Sequence, residues 1–517
     1  MTKVGNQNKL TTWQLALIST GGMIGAGWLF SPYYGFQTAG VGVLISWVII
    51  SVFVLVIGLS FAEVVTLIPI AGGLSRFIGI THNSTISFVF LVLGWLSYVV
   101  YLPLEAQSAI QYLSFWYKDL VVTTNGSTTL SNIGLGLSFL IIVLLTWFNT
   151  FFLSNVARLN SVVSIWKILV PIGIAWILIL LFGNWDNIHI ASVNHKFSFE
   201  NVLLAITSSG MAFAFTGFQN GLILANTVKN VKKAIPYSLF VPVVVGFILY
   251  SSLSLIYILC LGDKQLSFGS AAPLLAIVAL FGVHIMITIL FIDAVIAPLG
   301  TANVYTAATA RVLYGLAKDF FPKSSLVKIN KFFSPANCLW LNAIVGVCFL
   351  LPFPTWQQLV DFLSSIVVFS YLSGPIALIV MRQEFPDIKR PFRLYSYKLI
   401  GYSGFACCTL LIYWSSLSNL IYLILLVLAV IISYNTLIDG RHRSLLESLK
   451  TNFFVLVYLL EIILIKYLHQ INLVSFPFDN FLVIIISLFA CKTFINNRIN
   501  GAEINNNLVR FSTENIL

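Results

Sequence analysis

Apolar residues run through this chain in long unbroken stretches, with neither the three-and-four spacing of a one-sided helix nor the alternation of a half-buried strand. A helix crossing a hydrocarbon core needs about 20 such residues. Fourteen stretches are read as candidate spans: 13–36, 40–68, 84–114, 132–153, 161–182, 202–226, 238–261, 273–309, 338–352, 357–381, 400–418, 420–438, 453–468 and 481–495. The ninth is short and runs into Pro352-Phe353-Pro354, a tight turn ahead of the tenth, and Ser418-Asn419 alone parts the eleventh from the twelfth. Glu461 and Lys466 interrupt the thirteenth and the fourteenth is short, which makes twelve spans the fallback count. Runs this long exclude barrel strands, whose apolar positions alternate. The pattern predicts an all-α polytopic membrane protein.

Composition agrees and removes the rivals. Asp, Glu, Lys and Arg make up 9% of the 517 residues, against about 25% in ordinary globular proteins. Hydrophobic residues make up 59%, Phe occurs 42 times and the mean hydropathy is +0.95. A soluble fold of this size needs more charge at its surface, and a disordered chain would be poor in aromatics. The formal charge of +11 contains no basic run long enough to follow a phosphate backbone, so nucleic acid is not an expected partner.

The surplus charge sets orientation instead. With the N-terminus placed in the cytoplasm, Lys118, Lys196 and Lys264 fall in outer loops and Lys167 and Lys466 within spans, leaving 23 of the 28 basic residues inside. An even span count returns the C-terminus to the same side. The first span lacks an Ala-x-Ala-like cleavage site and leads directly into the second, so it reads as a retained helix. The expected setting is the cell (inner) membrane, with residues 1–12 and 496–517 cytoplasmic and lipid as the surrounding partner. The tail after Asn496 is rich in Asn and predicted to be disordered. Six cysteines show no metal-ligand or disulfide spacing and read as apolar fillers; no metal or cofactor is expected. Asn125-Gly126-Ser127 fits a glycosylation acceptor in an outer loop.

Two spans are interrupted. The first contains Gly21-Gly22-Met23-Ile24-Gly25-Ala26-Gly27 near its middle, and the sixth contains Gly210-Met211-Ala212-Phe213-Ala214-Phe215-Thr216-Gly217-Phe218. One small-residue cluster is explained by close helix packing. Two in matching positions five spans apart, an odd offset that makes the helices antiparallel, point to an inverted repeat of spans 1–5 (13–182) against spans 6–10 (202–381), with spans 11–14 (400–495) accessory. Where each helix restarts, its first N–H groups lack partners and, with the helix dipole, suit a carboxylate. Carbonyls of the unwound stretches, such as those of Gly22 and Met23, suit an ammonium group. A zwitterion fits both, which makes an amino acid the natural ligand. Candidate substrate contacts are therefore Gly22, Met23, Ile24, Gly25, Ala26, Gly27, Phe213, Phe215, Thr216 and Gly217, with Phe213, Phe215 and Phe218 as a possible aromatic lid.

On these and other segments the chain resembles the amino acid–polyamine–organocation permeases, which share the LeuT-type 5+5 inverted-repeat fold. The matching segments are Thr20-Gly21-Gly22-Met23-Ile24-Gly25-Ala26-Gly27-Trp28-Leu29-Phe30, Phe61-Ala62-Glu63, Pro69-Ile70-Ala71-Gly72-Gly73 and Trp166-Lys167-Ile168-Leu169-Val170-Pro171, followed by Phe215-Thr216-Gly217-Phe218, Thr309-Ala310-Arg311-Val312-Leu313-Tyr314 and Lys389-Arg390-Pro391-Phe392-Arg393. The branch most similar includes aspartate–proton symporters, some with fourteen spans. Two features depart from the family pattern. Gln219 stands where many members carry Glu, and Thr227 and Val231 replace an acidic residue and a Pro around Val228-Lys229-Asn230. Roles the family gives to those carboxylates do not transfer.

A charge near the bilayer centre costs roughly 2.5–3.5 kcal/mol on insertion scales, so each one asks for a reason. The resemblance implies that Lys167 takes the place of the sodium used by relatives, lying against spans 1 and 8 and carrying the coupled proton; snorkelling to the interface is the other explanation. Asp293 and Glu105 suit a substrate ammonium, a proton or a structural hydrogen bond, and Gln219 is a further possible contact. Interface anchoring suffices for Glu63 and Asp361, and His284 reads as a packing residue within span 8. The expected function is secondary amino acid transport, by proton symport or by exchange. A non-transporting sensor on the same fold is the rival, and an enzyme is not expected because no HExxH, phosphate loop or Ser/His/Asp grouping occurs.

Overall fold

A computed structural model of the chain describes residues 10–68, 73–124, 127–151, 156–194, 197–225, 228–261, 271–353, 355–439 and 445–513. Pro69-Ile70-Ala71-Gly72, Asn125-Gly126, Lys196, Thr227, Lys264 and Pro354 lie outside the described residues.

Among the described residues, all fourteen apolar runs are helical. Span 1 consists of two helices, Thr12–Met23 and Gly27–Ala39, and span 6 of three pieces, Phe199–Ser208, Met211–Ala214 and Gln219–Ile223. Between and after them come span 2 (Val43–Leu67), span 3 (Ser84–Val99 and Tyr101–Leu113), span 4 (Asn132–Phe151), span 5 (Val156–Phe182) and span 7 (Val231–Cys260). Spans 9 to 14 are Ala336–Cys348, Trp356–Tyr371 continued by Ser373–Glu384, Tyr397–Tyr413, Leu417–Tyr434, Phe453–Gln470 and Phe478–Asn496. The first half of span 1 lies along spans 5 and 7, and span 8 lies along span 3. With both broken helices at the centre and spans 11–14 outside them, the chain is an all-α polytopic membrane protein of the LeuT-type 5+5 architecture. Outside the helices, a hairpin (Val121–Thr124 with Ser127–Leu130) caps the loop between spans 3 and 4.

Four expectations are corrected. The eighth apolar run is two helices, because Gly282 adopts φ +66° and turns the chain after Pro273–Leu280. The span proper is His284–Phe320, 37 residues long, which places His284 exposed at its start and not inside the membrane-spanning run. Glu63 is not an interface anchor. It is buried and held by Arg382 (2.6 Å) and Arg390 (3.0 Å), while its Oε2 also accepts the amide of Leu394 at 2.7 Å. Finally, Gly501–Thr513 is a helix: Ile504 and Phe511 bury against the short helix Ile78–Thr81, Asn507 donates to the carbonyl of Gly79 at 3.3 Å, and the Phe511 ring lies 4.9 Å from the Arg76 guanidinium. Asn content alone hid the apolar stripe of that tail. Arg76 in turn makes a two-pronged pair with Asp319 at the end of span 8, at 2.7 and 2.9 Å. The segment between spans 2 and 3 is thereby fastened to the span 8 terminus and to the tail helix.

Candidate functional site

Span 1 stops being helical at Ile24 (φ −83°, ψ 83°) and resumes at Gly27. Its four glycines face residues of four other spans. A Cβ on Gly21 would strike Ser164, on Gly22 Asn220, on Gly25 Glu105 and Thr301, and on Gly27 Ala214. The segment is glycine-rich because spans 3, 5, 6 and 8 all press on it.

Span 6 leaves the helix at Gly210, which takes the left-handed conformation (φ 72°) and whose carbonyl accepts a hydrogen bond from Ser31 at 3.0 Å. It breaks again at Gly217 (φ +115°). A Cβ at Gly217 would lie 2.6 Å from the Cα of Met23 and 2.7 Å from the carbonyl carbon of Gly22. The two unwound stretches therefore touch backbone to backbone, a contact only glycine permits.

Both breaks have their amides engaged by side chains of the protein itself. Ala26 N–H donates to Glu105 Oε2 at 2.8 Å, and Gly217 N–H donates to Gln219 Oε1 at 2.7 Å. Glu105 Oε1 has no hydrogen-bond partner among the described residues. The Lys167 ammonium donates to Thr301 Oγ1 at 2.6 Å and points to Gly21 O at 3.5 Å; Thr301 Oγ1 donates to Ile24 O at 3.1 Å. Lys167 thus reaches the last helical turn before the break directly and the break itself through Thr301. It is fully buried and does not snorkel. Asp293 is also buried, makes no hydrogen bond of standard geometry among the described residues, and interacts electrostatically with Lys167, as does Glu105. Glu105 of span 3 and Lys167 of span 5 meet the break of span 1, and Asp293 of span 8 is linked to them through the charge of Lys167.

Aromatic rings close the site on both sides. Trp356 stacks on Phe30 (4.6 Å between centroids) and meets Phe213 edge-on (6.0 Å). On the other side Tyr101 stacks on Tyr305 at 3.8 Å and Phe218 packs on Tyr371 at 5.4 Å, while the Tyr101 hydroxyl hydrogen-bonds to Thr216. Phe215 points elsewhere, between Trp47 and Tyr250 of spans 2 and 7. The cavity left beside Phe213, Thr216 and Tyr371 measures about 10 Å³, room for at most a single water.

Gly22 to Gly27, Phe213, Thr216, Gly217, Gln219, Glu105 and Lys167 therefore gather around the crossing; Asp293 is linked to it only through the charge of Lys167, and Phe215 lies behind it. Sequence reasoning missed Tyr101, Thr301, Tyr305 and Asn220. The one signal for Tyr101 was its position: Tyr98, Tyr101 and Glu105 fall on one stripe of span 3, three and four residues apart.

Two crossed, broken helices around buried charges are the architecture of a membrane carrier. Residues 10–434 match the amino acid permease family, and the chain belongs to it. It is similar to the glutamate/serine transporter AimA of Bacillus subtilis, 29% identical over 501 residues that cover 93% of this chain and 92% of that protein. It is similar also to the aspartate-proton symporter of the same organism, 27% identical over 94% of this chain and 96% of that one. The branched-chain amino acid permease BcaP of B. subtilis is 25% identical over 75% of this chain and 83% of its own length. The protein is a multi-pass amino acid permease.

Proposed function

We propose that the protein is a proton-coupled amino acid symporter that works by alternating access in the cell membrane, with both termini cytoplasmic. The repeats 13–182 and 202–381 carry the movement. The observation that supports the reading most directly is the Ala26–Glu105 hydrogen bond: the break of span 1 already holds a carboxylate, in the position a substrate carboxylate needs. On this reading the substrate displaces Glu105 from Ala26 and takes the neighbouring amides of Gly25 and Gly27, while carbonyls of Gly22 and Met23 receive its amine. Phe213 and Thr216 close against it from span 6.

Charge balance supplies the coupling. Glu105 and Asp293 oppose a single ammonium on Lys167, so an amino acid with an acidic side chain, whose net charge is negative, favours entry of a proton with it. Lys167, tied to Gly21 and through Thr301 to Ile24, passes that charge state to the break of span 1. Two relatives matched over more than nine tenths of this chain carry names that specify glutamate, serine and aspartate, which supports a small acidic or hydroxyl side chain as the substrate class. Reconstituted into empty vesicles, the protein should accumulate such an amino acid when an inward proton gradient is imposed. Uptake that occurs only into vesicles preloaded with amino acid would instead establish an exchanger.

A further inference from the structure

The face opposite the basic loops carries a second titratable cluster, remote from the site. It joins the first helix of span 6 to the accessory spans 11, 13 and 14. His469, in the last turn of span 13, directs Nδ1 at the carbonyl of Val474 (3.2 Å) and at Asp479 Oδ2 (3.4 Å), and Nε2 at Glu200 Oε1 (3.1 Å). A carbonyl and a carboxylate can only accept hydrogen bonds, and a neutral imidazole has one donor. Both ring nitrogens face acceptors, so this arrangement holds one proton more than neutral histidine and two carboxylates can supply.

The surroundings keep the count. Tyr413 of span 11 donates to Asp479 Oδ2 at 2.6 Å, and Asn480 donates to Asp479 Oδ1 at 3.0 Å, so the Asp479 carboxylate is satisfied as an anion. Lys466 is buried over the Tyr413 ring at 5.0 Å, without a hydrogen-bond acceptor among the described residues, and senses Asp479, Asp361 and Glu200. Glu200 and Asp479 against Lys466 leave one negative charge in the immediate cluster, which a proton on His469 neutralises; Asp361 of span 10 lies behind it. The brace continues along span 6, where Thr207 donates to the carbonyl of Trp414 (2.8 Å) and the Trp414 indole donates to Asn480 Oδ1 (2.8 Å).

We infer that His469 with Glu200 and Asp479 forms a proton-binding site that fastens the first helix of span 6 to spans 13 and 14. Histidine is the side chain whose charge ordinarily changes between about pH 5 and 8. Acidification tightens the fastening and alkalinisation slackens it. Reading the bound proton as one sampled from outside the cell rests on the orientation proposed above; the brace itself does not.

A double-mutant cycle on the purified full-length protein tests the site without requiring transport. His469→Gln and Glu200→Gln should each lower the melting temperature more at pH 5.5 than at pH 8, and the double variant should fall no lower than the worse single one at pH 5.5. Groups titrating elsewhere cancel in the cycle. Additive effects of the two substitutions at pH 5.5, or a coupling equal at the two pH values, would overturn the proposal. Trp185→Phe, at an exposed position off the cluster, serves as the reference for nonspecific effects of pH and substitution.

Discussion

Glu105 Oε2 lies 2.8 Å from the amide nitrogen of Ala26, so the break in span 1 carries a tethered competitor for any carboxylate that enters. Gln219 Oε1 fills the corresponding place at Gly217 across 2.7 Å, with the acceptor but without the charge.

Glu105→Gln should keep an acceptor for the Ala26 amide while removing the negative charge. Accumulation driven by a proton gradient should be lost, whereas amino acid binding, followed by thermal shift, should persist at equal or lower substrate concentrations. Binding that disappears while accumulation survives would reverse the assigned roles.

Lys167→Ala removes the one ammonium that reaches the break among the described residues and leaves Thr301 to hold Ile24 alone. Gradient-driven uptake should fall to background. Exchange between substrate-loaded vesicles should be retained in part, because it needs no net charge transfer. Unchanged gradient-driven accumulation would refute the coupling role.

Gly217→Ala should be disabling, since the new methyl would sit 2.6 Å from Met23 and the residue would keep φ +115°. Backbone strain alone costs about 1–3 kcal/mol. Gly136→Ala, where nothing lies within 4 Å of the added Cβ, should leave expression and melting temperature unchanged or slightly improved. Comparable behaviour of the two variants would show that the breaks do not touch as described.

Glu63→Gln leaves Arg382 and Arg390 buried with no anion between them. Breaking a buried pair costs roughly 3–5 kcal/mol, and the loss should appear as a large drop in melting temperature with the substrate specificity unchanged. The two arginines lie about 320 positions along the chain from Glu63, so a normal melting temperature would mean the clamp is not formed in the membrane.

His82, in the segment ahead of span 3, donates to or accepts from Thr81 and reaches Phe494 O at 2.9 Å. Burial pushes its pKa down to about 4, and the nearby Arg498 guanidinium pushes the same way. The folded protein therefore prefers neutral His82. Its stabilising contribution is complete above the ordinary histidine range near pH 6.5 and is lost as the pH falls from there towards about 4. His82→Gln should flatten that part of the profile of melting temperature against pH.

Much of this was legible in the residues. Long apolar runs announced the helices, and the glycines of 21–27 and 210–217 announced the breaks, because membrane helices interrupt only where a cavity or protein receives the freed backbone. Contacts distant in sequence were not legible. Phe61-Ala62-Glu63 and Lys389-Arg390-Pro391-Phe392-Arg393 stand far apart in the sequence, and only folding brings Glu63 between Arg382 and Arg390. Span 8 misled because Gly282 bends the chain within a run that stays apolar on both sides. The tail helix was hidden because its polar residues face away from the single stripe of Ile504, Leu508 and Phe511 that docks it.

The contact of Gly217 with Met23 and Gly22 has a mechanical meaning. A lever that turns about a pivot is ordinarily separate from the load it lifts. Here the fulcrum of both broken helices is made of the same backbone that would grasp the substrate, with Ala214 pressed on Gly27 a short way off. Any ligand that wedges between these strands changes the angle of both levers at once, and no substitution can adjust the grip without also adjusting the throw.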